Sequence, residues 1–191
     1  LFINRLSRLV VDPERFPDER EEMLAVGMGS VYTHGHDRRP IRTTVQQDLI
    51  TTVFEPYAAA FTGAVDRIPD AHGRAVIIDV HSYPQDPLQY ELHAHGARPQ
   101  VCLGTDEYHT PPTLLETARE AFGAFEIEVN TPFAGTYVPL QHYGINPAVS
   151  SLMVEIRRDV YLDKELHPVE AGTTALSSAL AELIDAVGEP A

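Results

Sequence analysis

The stretch Ala75-Val76-Ile77-Ile78-Asp79-Val80-His81-Ser82-Tyr83-Pro84 decides the fold. Its aliphatic run has no three- or four-residue period, so it reads as a buried strand of a parallel or mixed sheet. Pro84 ends the ladder because proline has no N–H to give. Side chains alternate along a strand, so Asp79 and His81 leave on the same face. A histidine at the carboxyl end of such a strand stands where open α/β sheets place their ligands. A rim histidine bonded to a backbone carbonyl has the same appearance in sequence, and the run alone leaves both readings open.

Upstream of this strand, Leu49, Ile50, Val53, Tyr57, Ala60, Phe61, Ala64, Val65 and Ile68 recur at helical spacing. They predict an amphipathic helix that starts at Thr43 or Thr44, kinks or restarts at Pro56, and ends within Pro69 to Gly73. Leu1 to Val11 reads as a short strand, Pro13 and Pro17 as turns, and the Gly- and Pro-containing 27–40 segment as a loop. Downstream, 82–99 is irregular and Gln100 to Gly104 is a short strand. Pro111-Pro112 opens a helix that Gly123 stops. Phe125 to Asn130 alternates as a partly exposed strand, and 131–147 is a long loop of the kind that often carries function. Ser150 to Val160 is an interior strand with Glu155 embedded in it, and Thr173 to Val187 is the last helix. Strands alternating with helices predict the α/β class: a three-layer sandwich with a mixed, mainly parallel sheet flanked by helices, in one domain over 1–191. The start at Leu1, inside an apparently ordered segment, predicts further residues upstream.

Composition narrows the function. The 191 residues carry 28 Asp+Glu against 14 Lys+Arg, a formal net charge of −14. That balance argues against a nucleic-acid partner, which needs a basic face. No apolar stretch is long enough for a membrane span and no secretory leader is evident, so a cytoplasmic protein is expected. Cys102 is the single cysteine, which excludes an internal disulfide and a cysteine zinc site. Its neighbours Val101 and Leu103 mark it as a small buried hydrophobe rather than a nucleophile. The phosphate-loop, dinucleotide-turn and nucleophile-elbow motifs are absent.

Other residues can carry chemistry. Glu155, in Leu152-Met153-Val154-Glu155-Ile156, either pairs with Arg157 or Arg158 or is aimed at a site. Arg5, Arg8 and Arg15, beside Asn4, can grip carboxylates or can pair with Asp12, Glu14, Asp18 and Glu19. His34 and His36, and His93 and His95, are spaced two apart in loops and read as solvated residues. His109 and His142, in Pro/Gly-rich loops, are candidates for substrate contact. His72 and His167 read as helix-end or surface residues.

Taken in order, these segments resemble the N-formylglutamate amidohydrolases, within the wider zinc-carboxypeptidase superfamily. The resemblance runs through Leu6-Ser7-Arg8-Leu9-Val10-Val11-Asp12 with Arg15-Phe16-Pro17-Asp18, then Gly29-Ser30-Val31-Tyr32-Thr33 and Asp79-Val80-His81-Ser82-Tyr83-Pro84. It continues through Cys102-Leu103-Gly104-Thr105-Asp106, His109-Thr110-Pro111, Asn130-Thr131-Pro132-Phe133-Ala134-Gly135, His142-Tyr143-Gly144 and Val154-Glu155. It implies a zinc-carboxypeptidase-like fold and a zinc-dependent hydrolase of amino-acid metabolism. Its substrate would be a small molecule, an N-acyl amino acid such as N-formylglutamate. His81 would be a zinc ligand, Glu155 the general base, Arg8, Arg15, Asn130 and Tyr143 substrate-binding residues, and Asp79 a group that orients a ligand. The family's first two zinc ligands precede the arginine stretch, which here begins near residue 4, so the resemblance places them upstream of Leu1. His34 and Asp37 have ligand-like spacing but follow the arginines. The alternative is a metal-free relative that binds a dicarboxylate or a partner without turnover.

Overall fold

The computed structural model describes residues 1–92 and 94–188, without side chains over 69–72; His93 and the side chain of His72 lie outside what is described. The chain divides into two compact units. Unit 1 comprises Leu1–Ala71 with Leu88–Leu92, and unit 2 comprises His72–Pro87 with His93–Ala191.

Unit 2 is built on a four-stranded sheet in the order β1-β4-β2-β3. The strands are β1 (Ala75–Tyr83), β2 (Val101–Gly104), β3 (Ile127–Val129) and β4 (Val149–Arg157). β1 runs parallel to β4 and β2 parallel to β3, while β2 and β4 are antiparallel. The expected α/β class with a mixed, mainly parallel sheet is therefore present. Helix α3 (Pro112–Ala121) begins at the expected proline pair and carries the chain from β2 back to β3, the long crossover that a parallel pair needs. Its Leu114 and Ala118, one turn apart, are buried together with Phe122 just beyond its end. Helix α4 (Glu170–Gly188) contributes Leu176, Ala179 and Leu183 to the same core.

Strand alternation divides the sheet cleanly. Val101 and Leu103 of β2 and Leu152, Val154 and Ile156 of β4 pack with α3 and α4, and Val76 and Ile78 of β1 join them. The intervening side chains, Asp79, His81, Glu155, Cys102 and the position of Gly104, share the opposite face. On that face the 131–138 loop lies against the strands. Gly104 permits this approach: a Cβ there would sit 2.3 Å from the Gly135 carbonyl oxygen and 2.3 Å from Cε of Met153. Ser151, fully buried, bonds Thr136 Oγ1 at 2.7 Å and the Tyr137 carbonyl at 2.8 Å. β1 departs from the buried strand expected. Among the described residues it pairs only with β4, and Val80 is half exposed.

Unit 1 has little regular structure before residue 47. The expected strand over Leu1 to Val11 does not form, because local acceptors take its N–H groups: Leu6 donates to Asn4 Oδ1, Leu9 to Ser7 Oγ and Val10 to the Ser7 carbonyl. A 3-10 turn over Glu22–Val26, which sequence reading missed, is capped by the Glu21 carboxylate. Helical structure begins at α1 (Gln47–Leu49), later than expected, and continues into α2 (Glu55–His72). Between them Ile50–Phe54 is a π-turn in which the Glu55 N–H reaches the Ile50 carbonyl. This wider turn sits immediately before Pro56, whose ring would clash with the carbonyl four residues back in a regular helix. Unit 1 buries two small apolar groups, one of Val11, Val31, Ile50 and Phe54 and another of Met23, Met28 and Tyr32.

Candidate active site

The unit 2 face opposite α3 and α4 carries the first group of candidates. His81 Nε2 lies 2.8 Å from Asp79 Oδ1, with side chains 21% and 13% exposed, so the two residues that share a face by alternation also touch. With the proton on Nε2, His81 donates to Asp79 and keeps a lone pair on Nδ1. That is how a carboxylate orients a ligating imidazole. Register then brings the third residue in: His81 is the β-partner of Glu155 across β1 and β4, and Glu155 is the partner of Cys102 across β4 and β2.

Neither neighbouring arginine takes Glu155. Arg157 bonds Asp159 at 2.7 Å and the Arg98 carbonyl, and Arg158 reaches Ser82 at 3.3 Å. Cys102 is fully buried and its Sγ donates to the Phe133 carbonyl at 3.2 Å; burial first, then the nearby Glu155 and Glu128 charges, pushes this thiol up. It packs, as its apolar neighbours suggested.

Sequence reading missed Arg98. Its guanidinium carbon lies 5.1 Å from the Tyr83 ring centroid and 6.0 Å from that of Phe133, and Nη2 donates to the Pro84 carbonyl at 2.8 Å. Tyr83 shares the Asp79 and His81 face, so a cation is fixed over aromatic rings at that end of the sheet. Burial, then the charges around it, raises the Tyr83 hydroxyl above the ordinary phenol range. Arg98 comes from the irregular segment before Pro99, where no periodicity marks a residue.

Other candidates have structural partners. Asn130 has a left-handed backbone (φ 57°); its Oδ1 accepts from the Thr105 N–H and its Nδ2 donates to Thr105 Oγ1, each at 2.8 Å, linking the ends of β3 and β2. Tyr143 stacks on His109 at 5.7 Å and its hydroxyl is 3.3 Å from Asp106. His109 was a candidate for substrate contact, and the structure corrects this. It is 1% exposed, its Nδ1 bonds the Val149 carbonyl at 2.7 Å and its Nε2 accepts from the Gly144 N–H at 2.8 Å. Both ring nitrogens are engaged, and they tie the 139–147 loop to the start of β4, at the far end of that strand from Glu155. His142 is also buried, with Nδ1 beside Asn146 Nδ2 at 3.0 Å.

The arginines of unit 1 form a second group. Arg8 and Arg15 meet on Asp12, which is buried rather than the surface partner that sequence offered. Arg15 also pairs with Glu21 at 3.2 Å. Burial pulls both guanidinium groups down, but Asp12 and Tyr32, joined by Glu21 at Arg15, outweigh it and both end above the ordinary value. Tyr32 is raised as well, by burial first and then by Asp12. Arg5 is exposed. His34 bonds Thr33 Oγ1 at 3.0 Å, and Asp37 pairs with Arg39.

Imidazole and carboxylate groups gathered on one face of a mixed α/β sheet are the equipment of a hydrolase. The chain belongs to the N-formylglutamate amidohydrolase family, whose model matches residues 1–162. The fold is similar to that of the N-formylglutamate amidohydrolase from Ralstonia eutropha JMP134, with a TM-score of 0.76 at 21% identity over 94% of this chain and 73% of that one. It is also similar to the gene product Atu2144 from Agrobacterium tumefaciens, with a TM-score of 0.63 at 15% identity over 97% of this chain and 70% of that one. No curated protein matches the chain. Among the described residues no helix is long and apolar enough to cross a membrane.

Proposed function

We propose that this protein hydrolyses the N-acyl amide of an N-acyl amino acid such as N-formylglutamate, with zinc as its metal and Glu155 as general base. The observation that carries the reading is the Asp79–His81 pair at 2.8 Å, in register with Glu155 on one sheet face. Imidazole with carboxylate is a donor set that zinc accepts, so these residues fit the metal in kind. His81 would hold it through Nδ1, the nitrogen not bonded to Asp79, and Asp79 would fix the ring. Lewis acidity, which polarises the acyl carbonyl and acidifies a water, is what zinc supplies when bound.

Glu155 takes a proton from the attacking water as the new C–O bond forms at the acyl carbon. It then passes that proton to the departing nitrogen as the C–N bond breaks, which gives formate and glutamate from N-formylglutamate. Arg8 and Arg15 grip substrate carboxylates, as the family resemblance implies. Asn130 and Tyr143 are the remaining proposed contacts; the side-chain bonds each already makes would set their position rather than leave them mobile.

The test is Glu155→Gln, assayed for formate release and zinc content together. A general base contributes about 10²–10⁴-fold, so kcat should fall within that range while zinc is retained. Full activity in this variant would remove Glu155 from the mechanism. A wild-type protein that retains no zinc and releases no formate would favour the metal-free binding alternative.

A further inference from the structure

We propose that Asp12 is a positioning residue that, locked by Tyr32, holds Arg8 and Arg15 as a fixed pair of donors toward a substrate carboxylate; this rests on the amino-acid-derived substrate proposed above. Asp12 is 2% exposed. A single oxygen, Oδ2, gathers Arg8 Nε at 3.2 Å, Arg8 Nη2 at 2.9 Å, the Tyr32 hydroxyl at 2.8 Å and Arg15 Nε at 3.4 Å. Arg15 also gives Nη1 to Glu21, and Glu21 is itself fixed by the N–H groups of Phe16 and Met23 at 3.1 and 3.0 Å. Tyr32 is fully buried, so the oxygen that four donors share cannot swing away. Nη1 of Arg8 and Nη2 of Arg15 take no part in these bonds. The two side chains are 42% and 26% exposed, so each presents part of its surface to a solute.

Charge alone does not account for such a cluster as an anion site. Two guanidinium groups beside two carboxylates sum to zero, so what remains for a third carboxylate is the fixed direction of the outer N–H groups. A fork immobilised along one edge presents the other without further loss of rotamer freedom, and pre-organisation of this kind raises affinity without adding a contact.

This separates two expectations of opposite sign. Asp12→Asn keeps the shape of the side chain and removes one negative charge next to both arginines. If the arginines act as charges, the variant binds carboxylates more tightly; if Asp12 aims them, it binds more weakly. The experiment measures kcat and KM for N-formylglutamate and for its two carboxamide analogues, blocked at the α or the side-chain carboxylate, with L-glutamate binding by calorimetry and a thermal melt of each variant. Asp12→Asn should lose discrimination against one carboxamide by about tenfold, through KM rather than kcat. Tyr32→Phe, which changes no charge, should move the same way by about threefold and serves should Asp12→Asn fail to fold. Unchanged or tighter carboxylate binding in the folded variants overturns the proposal, as does a wild-type protein that binds no L-glutamate. If the wild type binds L-glutamate but hydrolyses no N-formylglutamate, the proposed activity fails, and the calorimetric comparison still decides the role of Asp12.

Discussion

In unit 2 the fully buried side chains that pack with α3 and α4 include Val101, Leu103, Leu152, Val154, Phe122 and Leu183, and together they form an apolar core. In unit 1 the buried set includes Asp12 and Glu21, whose carboxylates accept from arginine side chains and, at Glu21, from backbone N–H groups, and Tyr32, whose hydroxyl donates to Asp12. The first arrangement is non-directional: apolar area leaves water, and register follows from which side chains must be inside. The second is directional and depends on each donor meeting its acceptor. Unit 1 therefore holds few side chains in closely defined positions, which suits a region that presents guanidinium groups. Unit 2 has a packed apolar core, and its candidate catalytic residues stand on the strand positions that this core does not use.

The largest effect expected from this contrast is in the unit 2 core. Leu103→Ala removes a fully buried side chain that faces the helices beside Val154, and should cost about 3 kcal/mol of stability, read from the urea midpoint. A loss under about 1 kcal/mol would mean that the sheet core repacks freely, and the contrast with unit 1 would break.

A smaller effect belongs to unit 1. Glu21 Oε1 accepts from Arg15 Nη1 and the Met23 N–H, and Oε2 accepts from the Phe16 N–H, so Glu21→Gln removes the charge and leaves one oxygen to serve only one of these two sides. The expected cost is about 1.5 kcal/mol. Amide exchange would sharpen the comparison. Whichever of the Phe16 and Met23 N–H groups faces the new amide should exchange faster in Glu21→Gln, while the amides of β2 and β4 keep their wild-type protection.

Legibility in the sequence follows the same division. β2, α3, β4 and α4 stood out because apolar residues at period 2 or 3.6 must face one core, and the shared face of Asp79 and His81 followed from alternation alone. β1 could be recognised as a strand but not as the edge of the sheet described, because pairing partners leave no trace in a strand's own residues. In unit 1 the expected strand over Leu1 to Val11 failed where Asn4 and Ser7 offered closer acceptors than any neighbouring strand. Asp12 looked like a surface partner because nothing in Val10-Val11-Asp12-Pro13 shows that Tyr32, twenty residues on, will close over it. Arg98 had no signal for the same reason: an arginine among loop residues becomes informative only when Tyr83 and Phe133 are seen beneath it. His109 looked like a loop histidine because its two partners, Val149 and Gly144, are long-range.

The smallest effect is one of pH, with an early step in unit 2 alone and a late step shared by both units. Burial raises Cys102 and Tyr83 in unit 2 and Tyr32 in unit 1, and each is neutral when protonated. Between a group's unfolded and folded values, the native state therefore binds more protons than the unfolded chain. Stability then falls as pH rises, by no more than about 1.4 kcal/mol per pH unit for each group. Cysteine in an unfolded chain ionises near pH 8.5 and tyrosine near 10, so the decline should begin with Cys102 at about pH 8.5 and steepen from about pH 10 as the tyrosines join. Arg8 and Arg15, held above their ordinary range, stay protonated across this window and add nothing to the slope. Urea unfolding at intervals from pH 7 to 10.5 measures the slope directly. In Cys102→Ala the segment between about pH 8.5 and 10 should become flat while the later steepening persists. In Tyr32→Phe the early segment should persist while the later one weakens. If Cys102→Ala leaves the early slope unchanged, the thiol ionises alike in the folded and unfolded chain, and its burial in unit 2 does not raise it.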